Sequence, residues 1–311
     1  MTYLVLAGGL SHERDVSLRS GRRCADALRH AGHEVDVRDA DSSLLAGLSE
    51  SSYDAVLIAL HGGAGEDGAL RQVLDLVEVP YVGSTPQACR AAWDKPMAKS
   101  VMARAGLSTP ASVTLPHAAF RELGASSVLD EIVTHLGLPL MVKPARGGSA
   151  LGCTAVDKAD ELPPAMVQCF SYGEAALIES LVTGTEVAVT VLDGPDGPRA
   201  LPAVEVVPVS GVYDYAARYT AGETEYFTPA RLSSAVATEV ARVAVAAHVA
   251  LGLRDLSRVD LIVDSSGVPW VLEVNVAPGM TETSLLPMAI ETDGLELGAV
   301  LASLLDQAAS R

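Results

Sequence analysis

The chain has 311 residues, 49% of them hydrophobic and 20% charged, which excludes a disordered, collagen-like or coiled-coil protein. With 39 acidic against 22 basic residues the formal net charge is −17, so the surface repels nucleic acid and anionic membranes, and we expect neither as a partner. No basic stretch precedes an apolar run at the N-terminus, and every apolar run is far shorter than the ~20 residues that span a bilayer. We therefore expect a cytoplasmic protein, and the length predicts roughly two domains, or one large α/β unit with subdomains.

Strand and helix patterns alternate in the first part of the chain. Apolar runs predict strands over residues 3–7, 34–38 and 53–60 and a short one around Tyr81, with helices up to about residue 31 and over 69–77. Such alternation is typical of a parallel, doubly wound sheet.

The remainder mixes helices with shorter strands. The predicted elements up to residue 181 are a single helix over 86–105, a buried strand over 138–143, a glycine-rich loop over 144–152 and a strand over 175–181. Beyond them follow two strands, a long loop over 213–231, an amphipathic helix over 234–251, a hairpin over 256–276 and a helix over 295–309.

The hairpin carries the sharpest chemical signal. A two-residue turn within residues 264–267 would pair Arg258 with Glu273 and Asp260 with Val271. The polar residues on one face are then Arg258, Asp260, Glu273 and Asn275, and those on the apolar face are Val259, Leu261, Val263, Val268, Trp270, Leu272 and Val274. Two carboxylates and a carboxamide offer only oxygen ligands, which suits Mg²⁺ held jointly with phosphates. A solvated strand face with an ion pair is the alternative.

A second signal is the glycine-rich loop, which begins with a lysine at the end of a strand. Lys143 is followed by three glycines and the hydroxyl of Ser149, a pattern that allows backbone N–H groups to approach phosphate oxygens while the lysine adds a charge. A surface turn is the alternative interpretation of this loop alone. After the hairpin, the turn over residues 277–281 ends the strand and offers further N–H groups.

Residues 63–68 match GxGxxG between a strand and a helix, which is the dinucleotide fingerprint. Glu66 and Asp67 would place negative charge against a pyrophosphate, and no acidic residue lies about 20 residues further on to bind a ribose. An NAD(P)-dependent oxidoreductase is therefore kept only as the least favoured alternative.

Taken together, the motifs resemble the ATP-grasp superfamily, and within it the D-alanine:D-alanine ligase family. They occur in family order over nearly the whole chain, at residues 8–9 with 12–18, 61–68, 94–95, 143–149, 179 with 186, 213–219, 225–229, 258–260 and 273–285. The resemblance implies an ATP-dependent ligase that phosphorylates the carboxylate of one D-alanine and lets the amine of a second attack the acyl phosphate. D-Alanyl-D-alanine formed in this way would serve peptidoglycan precursor synthesis.

The resemblance also implies an organisation and an assembly. We expect an ATP-grasp fold with an N-terminal Rossmann-like substrate domain over residues 1–90, a central α+β subdomain over 91–182 and a C-terminal α+β catalytic subdomain over 183–311. A homodimer is expected, with ATP and D-alanine as the small-molecule partners and two Mg²⁺ ions, or Mn²⁺ in their place, as cofactors. The loop over 213–231 would act as a lid over ATP.

Site roles follow from the resemblance by position. For ATP the implied residues are Lys95, Lys143, Glu179, Leu181, Val182, Glu186 and Arg218, and for the two metal ions they are Asp260, Glu273 and Asn275. For the first D-alanine they are Glu13, His61, Ser149 and Tyr219; for the tetrahedral intermediate, Arg258 and the Gly279 N–H; and for the second D-alanine, Ser284 and Leu285. Whether His61 moves a proton is left open.

Two positions depart from the family pattern. Arg218 stands where lysine is usual, which keeps the charge but changes its reach, and Ala150 stands where many relatives carry a second serine. Tyr219 favours an amine nucleophile over D-lactate, because relatives that make the depsipeptide tend to carry phenylalanine there. An ATP-grasp ligase for other amino acids and a non-catalytic nucleotide-binding protein remain as alternatives.

Overall fold

The N-terminal part is a three-stranded parallel sheet in the order β2-β1-β3. The computed structural model describes residues 1–50, 52–209, 211, 213, 217–218, 220 and 222–311. The strands of this sheet are β1 (Thr2–Ala7), β2 (Glu34–Asp39) and β3 (Ala55–Ile58), and its helices are α1 (Arg14–His30), α2 (Leu44–Glu50) and α3 (Ala69–Leu76). The strand predicted around Tyr81 is reduced to one bridge with Val56.

Helices cover both faces of this sheet, as a doubly wound arrangement requires. Leu4 and Leu6 of β1 share a core with residues of α2 and α3, while Tyr3 and Val5 pack on the opposite side with α1. The second layer on that side is α11 (Leu297–Ala309), the last helix of the chain. The predicted doubly wound sheet is confirmed, and the domain limits at residues 90 and 182 stay a prediction.

The helix predicted over residues 86–105 is wrong as a single element. The structure has α4 (Pro86–Trp93) and α5 (Lys95–Arg104), separated at Asp94, whose ψ of 95° leaves the helical region. The side chain of Asp94 accepts the N–H of Met97 at 3.1 Å and so caps α5, and a proline at the start of α5 cannot continue a preceding helix. The break places Lys95 in the first turn of α5.

The central part is an antiparallel sheet in the order β4-β7-β5-β6. Its strands are β4 (Ser112–Pro116), β5 (Leu140–Pro144), β6 (Thr154–Val156) and β7 (Ala175–Ser180), and its helices are α6 (His117–Leu123), α7 (Ala125–Leu136) and α8 (Leu162–Phe170). Val142 and Ile178 point into the core beneath these helices. Because side chains alternate along a strand, Lys143 and Glu179 lie on the other face, toward the rest of the molecule.

The C-terminal part is a second antiparallel sheet in the order β11-β10-β8-β12-β13, with β9 paired to β8. Its strands are β8 (Thr185–Gly194), β9 (Gly197–Ala200), β10 (Val204–Pro208), β11 (Thr224–Phe227), β12 (Leu256–Val263) and β13 (Pro269–Asn275), with α9 (Ser234–Ala250) and α10 (Leu285–Thr292) beside them. Strand β11 falls within residues 213–231, so the prediction of one continuous loop there is wrong in part. Among the described helices, none is long and apolar enough to cross a membrane.

The register predicted for the β12–β13 hairpin is also wrong. The N–H of Asp264 donates to the carbonyl of Val268, so the turn has three residues instead of two, and Gly267 adopts the positive φ of 84° that such a turn needs. A bulge after Asp260 then shifts the register by one more residue, so Asp260 pairs with Glu273 and Arg258 with Asn275.

The two shifts have different consequences on the two sides of the bulge. Near the turn the faces are exchanged: Val271 is fully buried, whereas Val268 is exposed and Trp270 donates its indole N–H to Asp264. Leu272, predicted for the apolar face, lines a cavity next to Glu273. Beyond the bulge the shift of two residues restores the alternation, which places the four polar residues on one face.

Candidate active site

Two adjoining cavities lie between the loops that follow β3 and β5 and the β12–β13 hairpin. Residues that line the first cavity include Glu13, His61, Glu66, Ser149, Arg258 and Ser284. Residues that line the second, of about 190 Å³, include Met141, Lys143, Glu186, Asp260 and Leu272. Both cavities are bordered by Lys95, Gly147, Gly148, Tyr213, Arg218 and Glu273. The glycine-rich loop and Glu273 therefore form their shared wall.

The polar face of the hairpin carries a buried ion pair and a carboxylate held among cations. Nε and Nη2 of Arg258 donate to the two oxygens of Asp260 at 2.7 and 2.8 Å, and each side chain is only 10% exposed. Oε2 of Glu273 lies 3.4 Å from Nζ of Lys95. Burial alone would raise the pKa of Glu273, but Lys95 and Arg218 outweigh it and hold that pKa well below its usual range. Glu273 is therefore ionised at neutral pH.

The three predicted metal ligands fit a hard cation as part of a shared site. Asp260, Glu273 and Asn275 present oxygen donors on adjacent strands, which suits Mg²⁺ when phosphate oxygens complete its shell. Within the described part of the chain, no three His, Cys, Asp or Glu side chains converge into a metal centre. Asp260 is bound to Arg258, and Oδ1 of Asn275 accepts the N–H of Ala277 at 2.8 Å. Glu273 is 28% exposed and Asp260 is 10% exposed, so Glu273 is the more accessible of the two carboxylates.

Two of the predicted phosphate-binding lysines border the second cavity. The N–H of Lys95 donates to the carbonyl of Ala145, and its Nζ donates to the carbonyl of Gly147 at 2.6 Å, which ties α5 to the glycine-rich loop. Nζ of Lys143 lies 2.6 Å from Oε2 of Glu179. Burial would lower the pKa of Lys143, but the attraction of Glu179 is stronger and raises it. Lys143 is therefore a cation at the cavity wall.

Glu13 lies immediately before α1 and enters the first cavity with only 7% exposure. Its Oε1 accepts a hydrogen bond from Oγ of Ser149, whose φ of 52° turns the loop toward it. Gly62 leaves the space that this carboxylate occupies, because a Cβ there would lie 2.3 Å from Oε2 of Glu13. A buried carboxylate beside a hydroxyl is suited to bind an ammonium group.

His61 is held by both ring nitrogens. Nδ1 lies 3.0 Å from the carbonyl of Ala277, which can only accept, so Nδ1 carries the proton and Nε2 accepts from Oγ of Ser20 at 2.9 Å. Burial lowers the pKa of His61 to about 4, so the ring is neutral at physiological pH. Because both nitrogens are hydrogen-bonded, His61 joins the β3 loop to the turn after β13.

The lowered pKa of His61 makes stability depend on pH. The unfolded chain takes up this proton as the pH falls below about 6.5, while the folded protein does so only near pH 4, so stability is lost through that window. We expect the wild type to lose about 2 kcal/mol more than His61→Asn between pH 7 and pH 5. Urea titrations of both proteins at the two pH values measure this difference. Equal losses would contradict a neutral, buried His61.

Glu66 is a cavity residue that the sequence analysis did not predict. It is 7% exposed and its Oε1 accepts the N–H of Gly62 at 2.7 Å. Burial, together with the negative charge of Glu13, raises the pKa of Glu66 well above its usual range. The feature of the sequence that could have indicated Glu66 is an acidic residue inside the glycine-rich segment after His61. An acid buried here occupies the Gly62 N–H, which is therefore not free for a pyrophosphate, so the loop does not favour the dinucleotide alternative.

The start of α10 also lines the first cavity. Ser284 is the residue before this helix, and Leu285 is its first residue. Oγ of Ser284 accepts the N–H of Thr281 at 2.9 Å instead of capping α10, so the first N–H groups of the helix are not capped by it. Gly279 passes close to Ser284, where a Cβ would lie 2.7 Å from its Oγ. A helix start of this kind suits a carboxylate.

The residues predicted to bind the nucleotide do not all line the second cavity. Glu186 and Arg218 line the second cavity, with Arg218 stacked 4.3 Å from the ring centre of Tyr213. Leu181 and Val182 are half-buried in the link between β7 and β8 and are not among the described lining residues. Glu179 is 2% exposed and its carboxylate faces lysines. Tyr219 lies outside the described residues, as do residues 214–216 and 221 of the predicted lid.

The second cavity is small for a nucleotide. Its volume of about 190 Å³ is below the ~300–1,000 Å³ of typical ligand pockets. Its walls include the glycine-rich loop, Tyr213 and Arg218.

Comparison with known proteins agrees with this geometry. Two antiparallel sheets enclosing a lysine-lined cavity, beside a parallel-sheet domain, define an ATP-grasp ligase, and the predicted fold class is confirmed. A D-alanine–D-alanine ligase from Bacillus anthracis, solved with ATP, superposes with a TM-score of 0.81 and 27% identity over 100% of this chain and 97% of its own. The VanG D-Ala:D-Ser ligase from Enterococcus faecalis superposes with a TM-score of 0.84 and 27% identity over 98% of both chains.

Relatives identified by sequence show which family of ATP-grasp ligases the chain resembles. A D-alanine–D-alanine ligase from Anaeromyxobacter dehalogenans is 43% identical over 98% of this chain and 96% of its own length, and one from Bordetella petrii is 41% identical over 99% and 92%. The family model described as D-ala D-ala ligase C-terminus matches residues 101–306. The chain belongs to the D-alanine–D-alanine ligase family.

Proposed function

We propose that the protein joins two D-alanine molecules into D-alanyl-D-alanine, cleaving ATP to ADP and phosphate, and so supplies a peptidoglycan precursor. One observation carries this proposal: the first cavity joins an acidic end at Glu13 to a helix start at Ser284, and it shares Lys95 and Glu273 with the second cavity. Two small zwitterions therefore have complementary ends beside a site for phosphates. The relatives named D-alanine–D-alanine ligase support the same substrates.

The first step is the activation of a carboxylate. We place the ammonium of the first D-alanine against Glu13, assisted by Ser149 and Tyr219, with its carboxylate directed to the shared wall. ATP lies in the second cavity with its phosphates at Lys95 and Lys143. A carboxylate oxygen attacks the γ-phosphorus, the bond to ADP breaks, and an acyl phosphate forms. The lysines stabilise the negative charge that this step concentrates.

The second step forms the peptide bond. The second D-alanine places its carboxylate at the N-terminus of α10, near Ser284 and Leu285, and its amine attacks the carbonyl carbon of the acyl phosphate. The tetrahedral intermediate carries an oxyanion, which the guanidinium of Arg258 and the N–H of Gly279 stabilise. The carbon–oxygen bond to phosphate then breaks, and the amine nitrogen loses its proton.

Metal ions and the remaining nucleotide contacts complete the proposal. When bound, Mg²⁺ neutralises charge on the phosphates and orients them, and Asp260, Glu273 and Asn275 would hold two such ions, with Mn²⁺ as a substitute. Glu179, Leu181, Val182 and Glu186 are proposed for adenine and ribose, and Arg218 for the γ-phosphate.

A substrate screen tests the proposal. Purified protein with ATP, Mg²⁺ and D-alanine is expected to release phosphate and D-alanyl-D-alanine in equal amounts, measured by a phosphate assay and mass spectrometry. D-Serine, D-lactate and L-alanine are supplied singly and together with D-alanine, because a structural relative is named a D-Ala:D-Ser ligase. If turnover occurred only with another second substrate, the protein would still be a ligase, but D-alanine would not be its second substrate. No phosphate release with any of them would contradict the function.

We also propose a cytoplasmic homodimer, as the family resemblance implies. The chain mass is 32.2 kDa, so light scattering on the purified protein should give about twice that value.

A further inference from the structure

A buried cluster of two lysines and one carboxylate lies behind the second cavity. Nζ of Lys99 is 2.6 Å from Oε1 of Glu179, and Nζ of Lys143 is 2.6 Å from Oε2 of the same side chain. The exposures of Lys99, Glu179 and Lys143 are 6%, 2% and 7%. Lys99 also donates to the carbonyl of Pro110 at 2.8 Å. One carboxylate thus serves two cations, which leaves one positive charge in excess.

The two lysines are not equivalent. Lys143 borders the second cavity, whereas Lys99 is not among the described residues that line it. Lys99 lies one helical turn after Lys95 on α5, and its ammonium is fixed between Glu179 and the Pro110 carbonyl. A phosphate in the second cavity can therefore draw on Lys143 but not on Lys99.

The difference between Lys99 and Lys143 matters because both lysines pair with Glu179. When Lys143 turns its ammonium to a phosphate, Glu179 loses one of its two cations. A carboxylate that is 2% exposed and has no positive partner is strongly disfavoured, so without a second cation Glu179 would hold Lys143 back.

We propose that Lys99 is a positioning residue: it keeps Glu179 neutralised and thereby releases Lys143 to bind the phosphates of ATP. The inference rests on the proposed function, because it takes ATP as the ligand of Lys143. It predicts that the role of Lys99 depends on the charge of Glu179 and on the phosphates of the ligand.

Calorimetric titration with ATP and Mg²⁺, without D-alanine, tests this dependence in the full-length chain. Lys99→Met is expected to weaken ATP binding about 30-fold, because Glu179 then retains Lys143. Glu179→Gln removes that competition, so the double variant Lys99→Met/Glu179→Gln should bind ATP within about threefold of Glu179→Gln alone. Inorganic triphosphate with Mg²⁺, which lacks the adenine and ribose that Glu179 is proposed to contact, should show a similar loss of affinity for Lys99→Met. Lys158→Met, at an exposed lysine, is the matched control.

Each outcome decides the inference. A double variant as weak as Lys99→Met would overturn it, because a purely structural lysine would give that result. An unchanged affinity of Lys99→Met for triphosphate would also overturn it. If Lys99→Met does not fold, the ATP affinity of the double variant decides alone. Failure of the proposed function looks different: the wild type would not bind ATP, or Lys143→Met would leave ATP affinity unchanged.

Discussion

Glu273→Gln is expected to lower the rate of dipeptide formation about 1,000-fold or more, with the fold intact. Glu273 is the ionised carboxylate on the wall between the two cavities, and Lys95 and Arg218 hold it in that state. The glutamine keeps the shape but removes the charge that a divalent ion and the nearby lysine would share, and such electrostatic contributions amount to several kcal/mol. Phosphate release under saturating ATP and D-alanine measures the loss.

The matched control is Glu291→Gln, the same change at an exposed position on α10. It should leave turnover and the melting temperature unchanged. Turnover of Glu273→Gln within about tenfold of the wild type would remove Glu273 from the proposed metal site. Circular dichroism of both variants separates lost chemistry from lost folding.

Arg258→Met should abolish turnover and also destabilise the protein, and the two effects are separable. The substitution leaves Asp260 buried without its bidentate partner, a change that costs about 3–5 kcal/mol. In Arg258→Met/Asp260→Asn that unpaired charge is gone, so stability should largely return. Turnover should stay at least about 100-fold down, because the oxyanion still lacks its cation and the proposed metal site has lost the charge of Asp260. Urea titration and the phosphate assay measure the two quantities.

A surface ion pair supplies the comparison for this prediction. Arg242 donates to Glu239 at 2.6 and 2.8 Å, yet the two side chains are 59% and 43% exposed. Arg242→Met should therefore cost less than about 1 kcal/mol and leave turnover unchanged. If the double variant at the hairpin regained activity along with stability, Arg258 would be structural only.

The sequence predicted the elements of the fold well where periodicity is strong, as in β1, α1 and α9. It failed where one residue decides the geometry. The break at Asp94 depends on a single cap and an adjacent proline, which a helical pattern does not register. The hairpin register depended on a turn one residue longer than assumed and on a bulge at Asp260. Neither leaves a periodic signal.

In the candidate site, too, some features could be predicted from the sequence and others could not. Motif residues such as Glu13 and Arg258 could be named from the chain, because each stands in an ordered motif. Ser149, Lys143 and Glu179 were also named, but their direct pairing was not. Ser149 donates to Glu13 across 136 residues of sequence, and Lys143 pairs with Glu179 together with Lys99, which was not predicted as a site residue. Side-chain pairing of this kind is fixed by tertiary packing, which has no local pattern to read.

Helix α11 packs on α1, although the two helices are far apart in sequence. The approach is so close that a Cβ at Gly298 would lie 2.4 Å from the carbonyl of Ala27. The apolar face built from Tyr3, Val5 and Leu28 shares its core with Leu301 and Leu305 of α11. This part of the core therefore depends on contacts of high sequence separation, which form slowly because a long loop must close first.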